Sequence, residues 1–281
     1  MSVNLKGKID VVGRTDEGQI RDHNEDYISD NPTLGIAVLA DGMGGLNAGE
    51  VASSMAVHLL MEALTAYRVG DSQLAAELAH SDSELPIEAQ VVRKAVENAN
   101  DAVFHTSQTQ PQCKGMGTTI VASLFYNNKI SIAHIGDSRV YLFRGGALEQ
   151  VTKDHSFVQE LIDKGLYTKE EARTSDKKNV VTRALGVAPF VEVECHEYET
   201  QVGDIYLMCS DGLHDMVPDR DIERAFVELE GNMKELANYL VDLANANGGK
   251  DNVSVILTRI EKPYPDEAGG GLFERIANWF E

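Results

Sequence analysis

The chain has 281 residues, 43% of them hydrophobic, with 25 Lys+Arg against 45 Asp+Glu for a formal net charge of −20. This excludes a wholly disordered chain or a collagen-like rod, and an acidic surface repels phosphate, which disfavours nucleic acid and anionic lipid as partners. No stretch approaches the roughly 18 apolar residues of a membrane span, the start MSVNLKGKIDVVG has no apolar leader pattern, and Cys113, Cys195 and Cys209 form neither a disulfide framework nor a CxxC zinc pair, so a cytoplasmic chain is expected.

Strands are expected at 9–13 and 35–40. Ala52, Met55, Leu59 and Ala63 then repeat at helical spacing, followed by a second helix over 88–104 with Val91, Val92, Ala95, Val96 and Ala99 on one face. Three strands come next, at 119–126, 129–135 and 139–144, with hairpin signals at Tyr126-Asn127-Asn128 and Arg144-Gly145-Gly146. In the first of them Ile120, Ala122, Leu124 and Tyr126 share a face. The charged stretch 157–180, with Lys177 and Lys178, holds a short helix and a cap-like Thr168-Lys169-Glu170-Glu171.

Strands at 191–198 and 204–209, helices at 219–230 and 232–245, and a strand at 252–260 complete the series. Helices arriving in pairs between groups of strands favour an α+β fold in which helices cover two packed antiparallel sheets. Pro and Gly in 261–271 stop the last strand, giving one domain at 1–260 and a linker with an amphipathic tail at 261–281. In that tail Leu272, Phe273, Ile276, Trp279 and Phe280 fall largely on one helical face, suited to packing on the domain or to a partner.

The acids at strand ends carry the chemistry: Asp41-Gly42-Met43-Gly44-Gly45, Gly136-Asp137-Ser138, Ser210-Asp211-Gly212 and Asp251-Asn252. One Asp-Gly pair alone is ordinary turn chemistry. Several carboxylates converging on one cleft would repel unless hard cations held them together, and an all-oxygen set selects Mg²⁺ or Mn²⁺ over Zn²⁺. Arg21 stands four residues before Glu25, and in an extended chain the two share a side.

Further motifs follow in order: Gly115-Met116-Gly117-Thr118-Thr119, Thr152-Lys153-Asp154-His155-Ser156, Thr182-Arg183-Ala184-Leu185-Gly186, and at the start Arg21-x-x-Asn24-Glu25-Asp26. With these motifs over residues 8–260 the chain resembles bacterial members of the metal-dependent protein phosphatase family, type 2C, which removes phosphate from phosphoserine and phosphothreonine. The resemblance implies a four-layer αββα arrangement, a β-sandwich flanked by pairs of helices. It implies Mn²⁺ or Mg²⁺, two ions with a third in bacterial members: Asp41 bridges two, Asp211 and Asp251 complete the first site, the Gly42 carbonyl serves the second, and Asp137 joins Asp211 at the third.

Glu25 and Asp26 would hold metal-bound water and Arg21 the substrate phosphate. The stretch 157–180 takes the place of the family's mobile flap. Phosphorylated proteins are the implied partners, together with a serine/threonine kinase that the enzyme opposes, and a monomer suffices.

The physics agrees with this reading. Two divalent ions about 3.5–4 Å apart share a water and lower its pKa, so metal-activated water attacks phosphorus without a protein nucleophile. The planar fork of an arginine matches the charge that spreads over the phosphoryl oxygens. Met43 stands where many eukaryotic relatives carry a proton-donating His, so a metal-bound water is expected to protonate the leaving oxygen rather than His155 or His23. A P-loop, HExxH or GxSxG elbow is missing from the sequence. Two rivals stand: a different metal-dependent phosphoesterase, and a catalytically silent relative acting as a binding module. The silent reading predicts a lost ligand acid, and all the acids are in place.

Overall fold

The chain was analysed as a computed structural model that describes residues 4–45, 48–78, 83–229 and 231–265. One sheet runs β1 (Ile9–Asp16), β11 (Val253–Ile260), β10 (Ile205–Cys209), β7 (Arg139–Arg144), β8 (Ala147–Gln150). The other runs β2 (Asp26–Asn31), β3 (Ile36–Met43), β5 (Ile120–Tyr126), β6 (Lys129–Ile135), β9 (Glu194–Glu199), and the short β4 (Gly117–Thr118) pairs with the end of β3. The paired strands are antiparallel.

Period-two alternation sorts each strand between two cores. On β3, Ile36, Val38 and Ala40 face α1 (Ala48–Val69) and α3 (Ile87–Thr109), whereas Ala37 and Leu39 face the opposite sheet. On β11, Val253, Val255 and Leu257 face α7 (Asp219–Leu229) and α8 (Met233–Ala246), while Ile256 and Ile260 enter the space between the sheets. Helix pair, sheet, sheet, helix pair is thus the layer order, as the clustering of elements implies. The shared face of Ile120, Ala122, Leu124 and Tyr126 packs on helices, but Val121 and Phe125 are buried as well, so β5 is covered on both sides rather than half-buried.

The stripe of α1 is rotated slightly from its expected position. Ala52, Ala56, Leu60 and Leu64 are fully buried, with Met55, Leu59 and Ala63 on the flank. A six-residue α2 (Gln73–Leu78) with no buried side chain sits between α1 and α3. Without an apolar stripe it had no periodic signal in the sequence. The stretch expected to hold one short helix forms α4 (Phe157–Asp163) and α5 (Lys169–Thr174), and α5 opens with the reciprocal capping box of Thr168 and Glu171. Asp211 opens a four-residue turn, α6 (Asp211–His214).

Beyond β11, Tyr264 is buried between the sheets and its N–H donates to Asn128 Oδ1 at 2.6 Å, so the first residues of the expected linker pack on the domain. The expected apolar face of the tail, from Leu272 to Phe280, lies outside the described residues.

Candidate active site

The registers bring several strand ends to one end of the sandwich. Asp26 at the start of β2 pairs with Asp41 near the end of β3, and Cys209 at the end of β10 lies opposite Arg139 at the start of β7 and Val255 near the start of β11. Asp137 sits in the crossover from β6 to β7, where the chain passes between sheets, and Gly136 takes a φ of +104° there. A cavity of about 220 Å³ opens at this end, and Arg21, Glu25, Asp41, Gly42, Asp137, Asp211 and Asp251 all line it. Asp26 lies buried beside Asp41 and does not line the cavity.

Backbone hydrogen bonds fix the cradle. The Asp41 N–H donates to Thr119 Oγ1 at 3.0 Å, and the Asp41 carbonyl accepts from Thr119 N at 2.8 Å and from Thr118 Oγ1 at 2.8 Å. The Gly42 N–H donates to the Glu25 carbonyl at 3.1 Å, and a Cβ on Gly42 would come within 2.2 Å of the Gly49 carbonyl oxygen. No side chain fits, so only glycine lets α1 begin this close to β3.

Arg21 and Glu25 reach the cavity by a different route from the one their spacing suggests. Residues 21–25 form a bend rather than a strand. Asn252 pins that bend: its Oδ1 accepts from Glu25 N at 2.8 Å, and its Nδ2 donates to the carbonyls of His23 at 2.8 Å and Glu17 at 2.9 Å. Asn252 is buried, so Asn252→Ala strands three backbone groups. It is expected to cost about 2–4 kcal/mol of stability, read as a lowered denaturant midpoint with an unchanged m-value. Arg21 Nη2 meets Asp251 Oδ2 at 2.7 Å and is the one cation lining the cavity among the described residues.

The electrostatics are those of a crowded, buried carboxylate cluster with one arginine at its edge. Burial, followed by the neighbouring Asp26 and Asp211, pushes Asp41 well above the usual carboxylate range. Asp211 is raised likewise by burial and then by Asp137 and Asp215. Burial and then Asp154 push Asp137 up to about 7. Asp26, held by burial against hydrogen bonds that include Ser210 Oγ at 2.7 Å, is pushed up to about 6. Glu25 is raised by burial, which outweighs Arg21 and the N–H groups of Gly49 and Glu50. Among the described residues Asp211 Oδ1 and Asp26 Oδ1 are buried without a hydrogen-bond partner. Orphaned oxygens inside a mutually repelling set fit hard divalent cations, which take oxygen ligands and return the acids to their ionised form.

Met43 lines the cavity, and among the described residues no histidine does. His155 is turned away: its Nδ1 accepts from Gly136 N at 3.1 Å and its Nε2 faces Glu194 at 3.1 Å. His134 stacks on it with ring centroids 4.9 Å apart and planes 11° from parallel. His134, His155 and Glu194 come within ligand distance of one another, yet stacked rings cannot both aim an in-plane lone pair at one ion. The trio instead buttresses the crossover that carries Asp137. Sequence reasoning missed Asp154, Thr119 and Ser210 as supports of the site, although each stands in or beside a quoted motif.

Fold and site together define a two-sheet α+β protein with an all-oxygen acidic cavity beside a single arginine. Residues 17–251 match the family described as Protein phosphatase 2C. The serine/threonine phosphatase stp of Listeria monocytogenes is 39% identical over 247 residues, covering 87% of this chain and 93% of that protein. The serine/threonine protein phosphatase PstP of Mycobacterium tuberculosis is 39% identical over 251 residues, 89% of this chain and 44% of that longer protein. The PstP catalytic domain solved with 2 manganese ions superposes with a TM-score of 0.75 at 37% identity, covering 90% of this chain and 99% of that one. Stp1 of Staphylococcus aureus gives 0.78 at 34% identity, with 93% and 98% covered. The chain belongs to the protein phosphatase 2C family.

Proposed function

We propose that the chain is a Mn²⁺- or Mg²⁺-dependent serine/threonine protein phosphatase that hydrolyses phosphoserine and phosphothreonine in proteins. The observation that carries this reading is the cluster of raised, partly orphaned carboxylates facing one arginine. The names of the relatives and the manganese in PstP support it.

Asp41, Asp211 and Asp251 would hold the ions together with the Gly42 carbonyl, with Asp137 and Asp211 serving a third. Glu25 and Asp26 would accept hydrogen bonds from water around them. When bound, the ions supply Lewis acidity toward the phosphoryl oxygens and lower the pKa of water. Arg21, now paired with Asp251, donates its fork to the substrate phosphate. With Met43 in the cavity and His155 turned away, solvent protonates the leaving serine or threonine oxygen.

Arg21→Ala is expected to lower kcat/KM for a phosphothreonine peptide about 10²-fold, and Arg21→Lys to recover only part of that. Steady-state kinetics on one peptide checks both. The reading as a whole is tested by phosphate release from that peptide with Mn²⁺, Mg²⁺ or EDTA. Release that requires metal supports it, and a folded protein that releases none under any condition would favour the silent binding module.

The proposal includes a serine/threonine kinase that this enzyme opposes, since each substrate phosphate must first be transferred to protein. It includes a cytoplasmic monomer, supported by the acidic composition and by the fact that no helix among the described residues is long and apolar enough to cross a membrane. It also takes 1–260 as one catalytic domain, with Tyr264 packed on it.

A further inference from the structure

Beside the cavity, on the side of Met43, the segment 185–190 buries Leu185 in the core while the apolar side chains of Val187 and Phe190 face solvent. Leu185 bridges to Thr118 of β4 through hydrogen bonds of 2.8 and 3.1 Å. The next residues are clamped by the side chain of Asn100, which reaches out from α3 and is 1% exposed. Its Oδ1 accepts from Gly186 N at 2.9 Å, and its Nδ2 donates to the Ala188 carbonyl at 3.1 Å and reaches the Pro189 carbonyl at 3.5 Å. Gly186 has a φ of +80°, and a Cβ there would meet Val103 Cγ1 at 2.3 Å, so only glycine fits this turn.

A buried amide spent on three backbone groups is a costly way to hold an ordinary surface loop. Yet Val187 is 63% exposed and Phe190 is 89% exposed. Val187 adjoins the cavity. A single point above Gly117 lies 3.0 Å from Val187 Cγ2 and 3.5 Å from Met43 Cγ, and Met43 and Val181 line the cavity itself.

Resting on the phosphatase reading, we propose that Val187 and Phe190 form a platform that selects substrates carrying a large apolar side chain within a few residues of the phosphorylated one. The occupant is the substrate polypeptide itself. Its phosphate must sit against Arg21 and the acids, and Val187 beside Met43 lies within reach of the adjoining chain. The clamp lowers the entropy cost of binding, because the platform is ordered before substrate arrives.

The test uses two phosphothreonine peptides that differ only in having Leu or Ser at the positions flanking the phosphothreonine, with phenyl phosphate, too small to reach the platform, as a third substrate. Wild type is expected to favour the Leu peptide in kcat/KM by about tenfold, the worth of burying one such side chain. Val187→Ser with Phe190→Ser is expected to bring that ratio near one through KM, with the effect confined to the peptides. A wild type without preference, or a preference that survives both substitutions, would overturn the platform. So would an equal loss on phenyl phosphate, which would make the loop a support of the cavity. Absence of metal-dependent release from all three substrates would overturn the phosphatase reading, and the platform with it.

Discussion

Asp41→Asn is expected to lower metal-dependent phosphate release by at least about 10³-fold while raising the stability of the metal-free protein. The first effect follows from its position: Asp41 lies at the meeting of both sheets, lines the cavity, and faces Asp26 across the β2–β3 register. Removing a charge that cations must share removes several kcal/mol of transition-state stabilisation. The second follows from the same charges without the ions. Burial and the fields of Asp26 and Asp211 oppose ionisation of Asp41, so in metal-free protein an uncharged isostere relieves repulsion among the acids. An amide keeps the shape without the charge, so a gain of about 1–2 kcal/mol is expected. Phosphate release with Mn²⁺, beside denaturant melts in EDTA, reads both. Loss of activity together with lower apo stability would mean that Asp41 is structural rather than strained for function.

The second large effect is a stabilisation by Mn²⁺ that grows with pH. In the metal-free folded chain Asp137 is pushed up to about 7 and Asp26 up to about 6, whereas unfolded aspartates titrate near about 4. Between those limits the folded state binds more protons than the unfolded one, so stability falls as pH rises from about 4 toward about 7. Divalent ions bind the ionised acids and compete with the protons. At about 100 times Kd, Mn²⁺ contributes about 2.7 kcal/mol, several degrees in Tm for a chain of this size, at pH 7.5. At pH 5 the shift is expected to be small. Thermal melts with Mn²⁺ or EDTA across this range check it, and a shift that does not change with pH would place the bound metal away from these acids.

Much of the cavity was legible because its ligands lie in short, strongly constrained motifs. An acid beside glycine at a strand end has few conformations, and Gly42, wedged between the Gly49 and Glu25 carbonyls, shows how tight that constraint is. Strand β2 was not legible. Its segment DYISDN is polar and short, and it becomes a strand because β3 offers it a hydrogen-bonded edge from Asn31 to Asp26. Arg21 and Glu25 do line one cavity, but not because an extended chain puts them on one side. The bend that aims them depends on Asn252, more than 220 residues further along the chain, and no local spacing reveals such a contact.

The sequence by itself determined the fold class, the acids that line the cavity and the family, since each rests on residue types in local patterns whose steric and electrostatic demands are the same in any context. Only the tertiary structure decided which acids are buried without partners, that His155 faces away from the cavity, and that Asn100 holds Val187 and Phe190 out toward solvent. Those properties depend on which distant elements close over a group and remove its water. Desolvation and the fields of neighbours are set by the packing of both sheets, not by any one segment.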